Sequence, residues 1–475
     1  MLSTIPRTVA LLILPPLLGL SALAGVAFGQ GPASETGVVS NSDGRRVPGL
    51  PRPTGAAGAS SGSPASGFFS YTDPVQGASS NDLVRRALTS NAELAAVRLD
   101  IERGRARLRQ AGLRPNPTVD FEQTTGRFTN SPGDRETSVG FALPIELGGK
   151  RQRRIDLARV ELEAAEAEIA DKERRLANEV RVSYAESLAA LRELQITEEL
   201  SNVDVQTARI VEARVMEGDA APLEHNLLRV EIDRLRARRA LVEGRLQAAL
   251  LKLKSITGTP LSEPLRLREE LTAPAFAEPP DSIEASVDIA LRTRPDLKLA
   301  RLSEEAARAG LRLARAQATP DVTAFSKYTT NRSSFDNTPI GTLRDQDKLL
   351  SFGVSITIPV FNRNQGAKAE AELAISQAQR RREFAEQLVR AEVQSAYRRY
   401  EAARSAIATY EQGVLERSRQ NITAVRGAYQ VGAFRVTELL SEQRRFVDSQ
   451  REFTETLAEY YRALADLQSA IGTKP

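Results

Sequence analysis

The chain has 475 residues, which is too long for one ordinary compact domain. Hydrophobic residues make up 41% and aromatics only 5%, with no Trp, a mix that suits long helices with narrow apolar stripes and not a thick globular core. Lys and Arg (65) nearly balance Asp and Glu (61) and are interspersed with them, so no nucleic-acid face is defined, and the lack of Cys excludes disulfides, thiol catalysis, thiolate metal sites and a Cys-linked lipid.

At the N-terminus, Arg7 precedes an apolar run from Val9 to about Leu23. Ala22-Leu23-Ala24 and Ala27-Phe28-Gly29 then offer small-x-small cleavage sites. The pattern predicts a secretory signal peptide over residues 1–29, and Pro15-Pro16 would damage a spanning helix there. No other segment reaches about 18 consecutive apolar residues, so a membrane crossing would have to use strands. Residues 30–80 are rich in Gly, Ser, Pro and Ala and read as a disordered leader.

The rest of the chain is a duplicated unit. Leu94 matches Leu297 and Val119 matches Val322 at one common offset. Pro144 and Pro359, Gly218 and Gly432, and Gly258 and Gly472 match at offsets about a dozen residues longer. The second copy therefore carries an insertion between its two strands. Repeat 1 spans residues 81–258, repeat 2 spans 283–475, and a Pro-rich linker over 259–282 joins them.

Each repeat reads as short helix, helix, strand, loop, strand, very long helix, tight break, long helix. In repeat 1, Asn81-Asp82 is a candidate N-cap, and a second helix runs from about Ala92 to Leu113, stopped by Arg114-Pro115-Asn116-Pro117. Strands are expected at about 118–126 and 137–145, and in repeat 2 at about 321–330 and 349–360. The cleanest alternation sets Leu350, Phe352, Val354, Ile356, Ile358 and Val360 against Ser351, Gly353, Ser355 and Thr357. A period of two over such a length fits a lipid-facing barrel strand or a half-buried strand of a soluble sheet. The expected connecting loops are 127–135 and 331–348.

From Lys150 to Met216 neither Pro nor Gly intervenes, and as one helix this run would be about 100 Å long. The run from about Ala367 to Val431 behaves alike, interrupted only by Gly413 and Gly427. Their narrow apolar seams require coiled-coil partners. Four strands per chain cannot close a transmembrane barrel, because single-chain barrels start at about eight, and lipid tolerates no open edge. Three chains would pool about twelve strands, enough for a channel. Their six helical hairpins would form a hollow cylinder.

The sequence resembles the TolC family of outer-membrane efflux proteins over about residues 81–472. The resemblance rests on the duplicated plan and on Leu113-Arg114-Pro115-Asn116-Pro117, Pro144-Ile145-Glu146-Leu147-Gly148-Gly149-Lys150-Arg151 and Tyr429-Gln430-Val431-Gly432-Ala433-Phe434 with Leu439-Leu440. The Glu-Leu-Gly-Gly-Lys turn is most similar to the CzcC-like branch, which serves divalent-metal efflux. The implied fold is mainly α with a small transmembrane β part: a trimeric α-barrel of coiled-coil helices capped by a 12-stranded β-barrel, four strands from each chain. The resemblance also implies a homotrimer in outer-membrane lipid, a periplasmic adaptor at the helical tips and an inner-membrane pump of the RND type.

By that resemblance the functional residues cluster at two places. Pro144, Gly148, Gly149 and Pro359 make the strand-to-helix turns. Glu217-Gly218-Asp219 and Val431-Gly432-Ala433 make the periplasmic tips, where Glu224 and Tyr429 belong to a closing network and Glu438 to a ring of carboxylates. A basic gate partner expected near Phe434 is absent, and Arg435 follows one residue later.

No enzyme chemistry emerges. Gly148-Gly149-Lys150 lacks the leading Gly of a phosphate loop, where Pro144 stands, and Arg151 replaces the Ser or Thr. His225 is the single His and there are two Met, so no multi-ligand metal site and no cofactor is expected. The competing readings are a periplasmic adaptor, which carries one hairpin where this chain has two, and a coiled-coil scaffold, which leaves the four strands unexplained.

Overall fold

The computed structural model describes residues 71–126, 134–268, 271, 279–338 and 341–473. The expected signal peptide, the leader up to residue 70 and the loop residues 127–133 lie outside the described residues.

Repeat 1 comprises α1 (Ser80–Ser90), α2 (Ala92–Ala111), β1 (Thr118–Thr125), β2 (Arg135–Ile145), α3 (Lys150–Glu217) and α4 (Pro222–Thr257). Repeat 2 comprises α5 (Ile283–Thr293), α6 (Pro295–Gln317), β3 (Val322–Thr338), β4 (Gly341–Ile356), α7 (Gln365–Thr409), a π turn (Tyr410–Val414), α8 (Leu415–Gln430) and α9 (Val436–Ile471). At 68 residues α3 is about 100 Å long.

The first N-cap is Ser79, not Asn81-Asp82. Ser79 Oγ accepts from the Asp82 N–H at 3.2 Å, and the Asp82 carboxylate accepts from the Ser79 N–H at 3.2 Å. Asp82 is thus the reciprocal partner in a capping box and not the cap. The second helix ends on Gly112, not at Leu113.

The four strands form one antiparallel sheet in the order β1-β2-β3-β4, so the central β2–β3 ladder joins the two repeats. β3 and β4 differ from expectation. They run 17 and 16 residues, through most of the segment 331–348 expected as a loop. There Arg332 stands opposite Gln346 and Ser333 opposite Asp345. With polar residues on both faces, such a ladder has no period-two signal. β4 also stops at Ile356, short of residue 360, because Ile356 pairs with Val322, the first residue of β3.

The register sorts the sheet into two faces. Val119 lies opposite Phe141, Phe141 opposite Ser326, and Ser326 opposite Phe352. The same face carries Phe121, Val139, Tyr328 and Leu350, then Leu143, Ala324 and Val354, then Ile145, Val322 and Ile356. The opposite face carries Asp120, Glu122, Ser138, Thr323, Lys327 and Ser355, with Lys327 Nζ 3.1 Å from Glu122 Oε2. Phe325 and Leu349 are large apolar residues on this face, and Phe325 lies over Gly353, where a Cβ would come 2.4 Å from its Cζ.

The helices pack as paired hairpins. α1 seats Leu83, Val84 and Ala87 in a core with Val180, Tyr184, Leu188 and Leu191 of α3 and Leu246, Leu250 and Leu253 of α4. Leu267 from the inter-repeat linker joins this core, and its backbone bonds to Tyr71 and Asp73. In repeat 2, Val389, Val393 and Tyr397 of α7 pack on Leu464, Leu467 and Ile471 of α9. No helix among the described residues is long and apolar enough to cross a membrane.

The candidate gate and the strand-to-helix turns

Where β2 gives way to α3, Gly148 (φ 70°) and Gly149 (φ 68°) both adopt left-handed backbone, which favours Gly. A Cβ on Gly148 would also lie 2.7 Å from Thr319 Oγ1. The next residue, Lys150, is buried and bonds Asp321 Oδ2 at 2.7 Å, while Asp321 Oδ1 accepts from the Leu147 N–H at 3.1 Å. This salt bridge ties the repeat 1 turn to the residue that leads into β3. Glu146 and Arg154 pair across the same turn at 2.9 Å, and that guanidinium bond lowers the Glu146 pKa. Pro144 sits in β2 opposite Thr323, beyond Ala142, the last residue paired to β1. Its missing N–H therefore costs no β1–β2 ladder bond. Pro359 lies beyond the end of β4. In repeat 2 the left-handed position of the turn is taken by Asn364 (φ 58°).

At the far end, α3 closes on Gly218 (φ 86°), where the Asp219 N–H bonds the Arg214 carbonyl at 2.8 Å. Pro222 then starts α4. The second tip repeats this with Gly432 (φ 78°) and an Ala433 N–H bonded to the Ala428 carbonyl at 2.8 Å. These are left-handed C-terminal caps of the Schellman kind. Glu217, Asp219 and Val431 are exposed.

Above the turns, Ala208, Val211, Leu228, Ile232, Ile422, Tyr429, Val436, Leu439 and Leu440 form one buried cluster. α3, α4, α8 and α9 all contribute, so the tips of the two hairpins pack on each other. Tyr429 is 6% exposed, and its hydroxyl has no hydrogen-bond partner. The Arg214 guanidinium lies 6.0 Å from its ring centroid, a cation–π arrangement. Burial pushes the Tyr429 pKa up, the Glu224 charge adds to this, and Arg214 opposes it. Glu224 and Tyr429 are thus brought together within one chain. The cation over the Tyr429 ring is Arg214 of α3, in the first hairpin, and not a residue near Phe434.

Glu438 is exposed, and it caps its own helix. Its Oε2 accepts from the Arg435 N–H at 2.9 Å and from Thr437 Oγ1 at 3.1 Å. Hydrogen bonds from backbone N–H groups at the start of α9, its own first, hold its pKa below the usual range. A capping-box spacing could have revealed this, but Arg435 stands where the signature has Ser or Thr. His225 is half-buried on α4, and no group of three metal-ligating side chains occurs among the described residues.

A sheet with one mainly apolar face next to the helices, feeding helical hairpins whose longer arm spans about 100 Å and whose tips pack together, defines a subunit of a membrane-anchored helical duct. The outer membrane efflux protein family matches residues 83–259 and 287–473, one block per repeat, and the chain belongs to that family. It is 25% identical over 364 residues to the cobalt-zinc-cadmium resistance protein CzcC of Cupriavidus metallidurans, covering 75% of this chain and 81% of that one. Over 377 residues it is 26% identical to the probable outer membrane lipoprotein SilC of Salmonella typhimurium, covering 76% and 78%. Among solved structures, CusC superposes with a TM-score of 0.69 at 23% identity, covering 83% of this chain and 92% of that one. The outer-membrane channel OprN superposes at 0.66 and 19%, covering 84% and 94%.

Proposed function

We propose that three copies of this chain form the outer-membrane exit duct of a tripartite efflux system that exports metal cations. The apolar sheet face carries this reading. It continues across all four strands and ends at two open edges, β1 and β4. Lipid tolerates such a sheet only when other chains close it. The metal cargo is inferred from the name of the cobalt-zinc-cadmium resistance protein CzcC and suits Glu217, Asp219, Glu224 and Glu438 at the tips, because rings of carboxylate favour cations. Export of drugs or solvents is the second reading, supported by the relative named as a solvent efflux pump outer membrane protein, SrpC.

The tips expose Met216 (81%), Leu223 (67%), Val431 (81%) and Phe434 (46%). Such apolar surface on a helical tip suits a helical adaptor, and an inner-membrane pump of the RND type would complete the assembly. Membrane fractionation and gel mobility with and without heating test the duct. An outer-membrane oligomer resistant to mild detergent supports it, and a soluble monomer would return the adaptor or scaffold reading. Deleting the gene then separates the cargoes: raised sensitivity to cobalt, zinc or cadmium supports metal export, and raised sensitivity to solvents alone supports the second reading.

A further inference from the structure

Asp204 belongs neither to the tip turns nor to the apolar cluster above them. It lies on α3 about 20 Å above the Gly218 turn, within the seam between the two hairpins. Its side chain is 1% exposed, and neither carboxylate oxygen has a hydrogen-bond partner. Gln443 on α9 faces it, 4% exposed, with both Oε1 and Nε2 likewise unsatisfied. The other charged groups around them are already engaged or opposed. Glu231 of α4 pairs with Arg444 at 2.7 Å and Arg234 at 3.5 Å, and Glu442 of α9 pairs with Arg445 at 3.4 Å. Arg426 of α8 supplies a distributed positive charge.

An ionised carboxylate without a partner is strongly disfavoured in such a place. The protonated acid is not, because it gains an O–H that can donate to an amide oxygen such as Gln443 Oε1 while its carbonyl can still accept from an amide nitrogen such as Nε2. We propose that Asp204 and Gln443 form a protonation-sensitive latch between the hairpins, holding the tips together when Asp204 is protonated and loosening the seam when it is ionised. The role of this latch rests on reading the tips as the gate of a duct.

Burial pushes the Asp204 pKa up to about 6, with Glu231 adding to the rise and Gln443 and Arg426 opposing it. When the seam opens, water returns the group to its ordinary range near 3.8. A raised carboxylate pKa means the closed seam is most stable below the open-state pKa and loses stability as pH rises through the closed-state value. Between pH 5 and pH 7.5 the seam should open about ten-fold more readily.

Hydrogen exchange of the full-length protein in lipid nanodiscs, corrected for intrinsic rates, reads this at residues 200–216 and 436–446. Wild-type protection should fall about ten-fold over that pH range, whereas Asp204→Asn should stay protected throughout. Asp204→Ser, also neutral at every pH, serves if the Asn variant fails to assemble. Parallel pH profiles for wild type and the neutral variants would overturn the latch. The readout needs no conduction, so a protein that proves not to be a duct fails that reading separately.

Discussion

Asn91 bridges two helices that are not consecutive in the chain: its Oδ1 caps the start of α2 by accepting from the Leu94 N–H at 2.8 Å, while its Nδ2 donates to the Ile256 carbonyl in the last turn of α4, also at 2.8 Å. The end of α4 thus abuts the start of α2. Repeat 2 solves the same junction with other residues. Thr293 Oγ1 bonds the Ile471 carbonyl at 2.9 Å, and an Arg294 guanidinium nitrogen bonds the Ala470 carbonyl at 3.1 Å.

Asn91→Leu removes a helix cap and strands a carbonyl at once. A loss of about 1–3 kcal/mol per chain is expected. Asn91→Asp keeps the cap on α2 but loses the donor, and should fall between wild type and Leu. Thermal unfolding of the purified oligomer checks the order of the three, and an Asp variant no better than Leu would show that the Ile256 bond dominates.

The sheet register makes an uneven prediction for neighbouring residues. Ile356 stands opposite Val322 on the apolar face, and Ser355 opposite Thr323 on the polar one. An Arg facing lipid costs about 2–4 kcal/mol at the midplane and less toward the interfaces, whereas one facing the lumen meets water. Ile356→Arg should therefore reduce assembled oligomer in the outer membrane far more than Ser355→Arg. Equal losses would reverse or refute the assignment of faces.

Glu438 combines a cap with a charge, and the two can be separated. Gln also fits the reciprocal position of a capping box, so Glu438→Gln should leave α9 and the assembly intact. If three Glu438 carboxylates gather at the axis of a trimer, cation selectivity and block by multivalent cations should both weaken in single-channel recordings. Unchanged selectivity would leave Glu438 with its capping role alone.

The helices, the glycine turns and the duplication are legible in the sequence because each leaves a local mark: a 3.6-residue stripe, a Gly at a left-handed position, a Pro outside the ladder. The polar extension of β3 and β4 is not, since strands with two wet faces lack alternation. Ser79 escapes notice beside Asn81, although Ser-x-x-Asp is itself a capping pattern. Arg214 over Tyr429 and Asp204 against Gln443 are illegible for a different reason. Each pair joins different hairpins across a long stretch of chain, and neither partner has a distinctive sequence neighbourhood.

The π turn at Tyr410–Val414 predicts which deletions the long helix tolerates. A π turn absorbs one extra residue without changing the phase of the helix on either side. Deleting Gly413 should convert it to regular α-helix and leave Ile422 and Tyr429 in the tip cluster. Deleting the exposed Ala424 should instead turn the rest of α8 by about 100° and carry Tyr429 out of the seam. Oligomer yield and melting temperature distinguish the two: near wild type for the first, a marked loss for the second. Similar losses would mean that the π turn is not the point of slack.

Such a turn also separates the constraints on the two ends of the helix. In an uninterrupted helix, any insertion near the tip would rotate every residue between it and the barrel, and selection would have to accept or reject both ends together. With slack at Tyr410–Val414, a one-residue change on one side can be absorbed before it rotates the other. If the tip meets partner proteins as proposed, it is free to diverge with them, while the end next to the sheet keeps the spacing its strands demand.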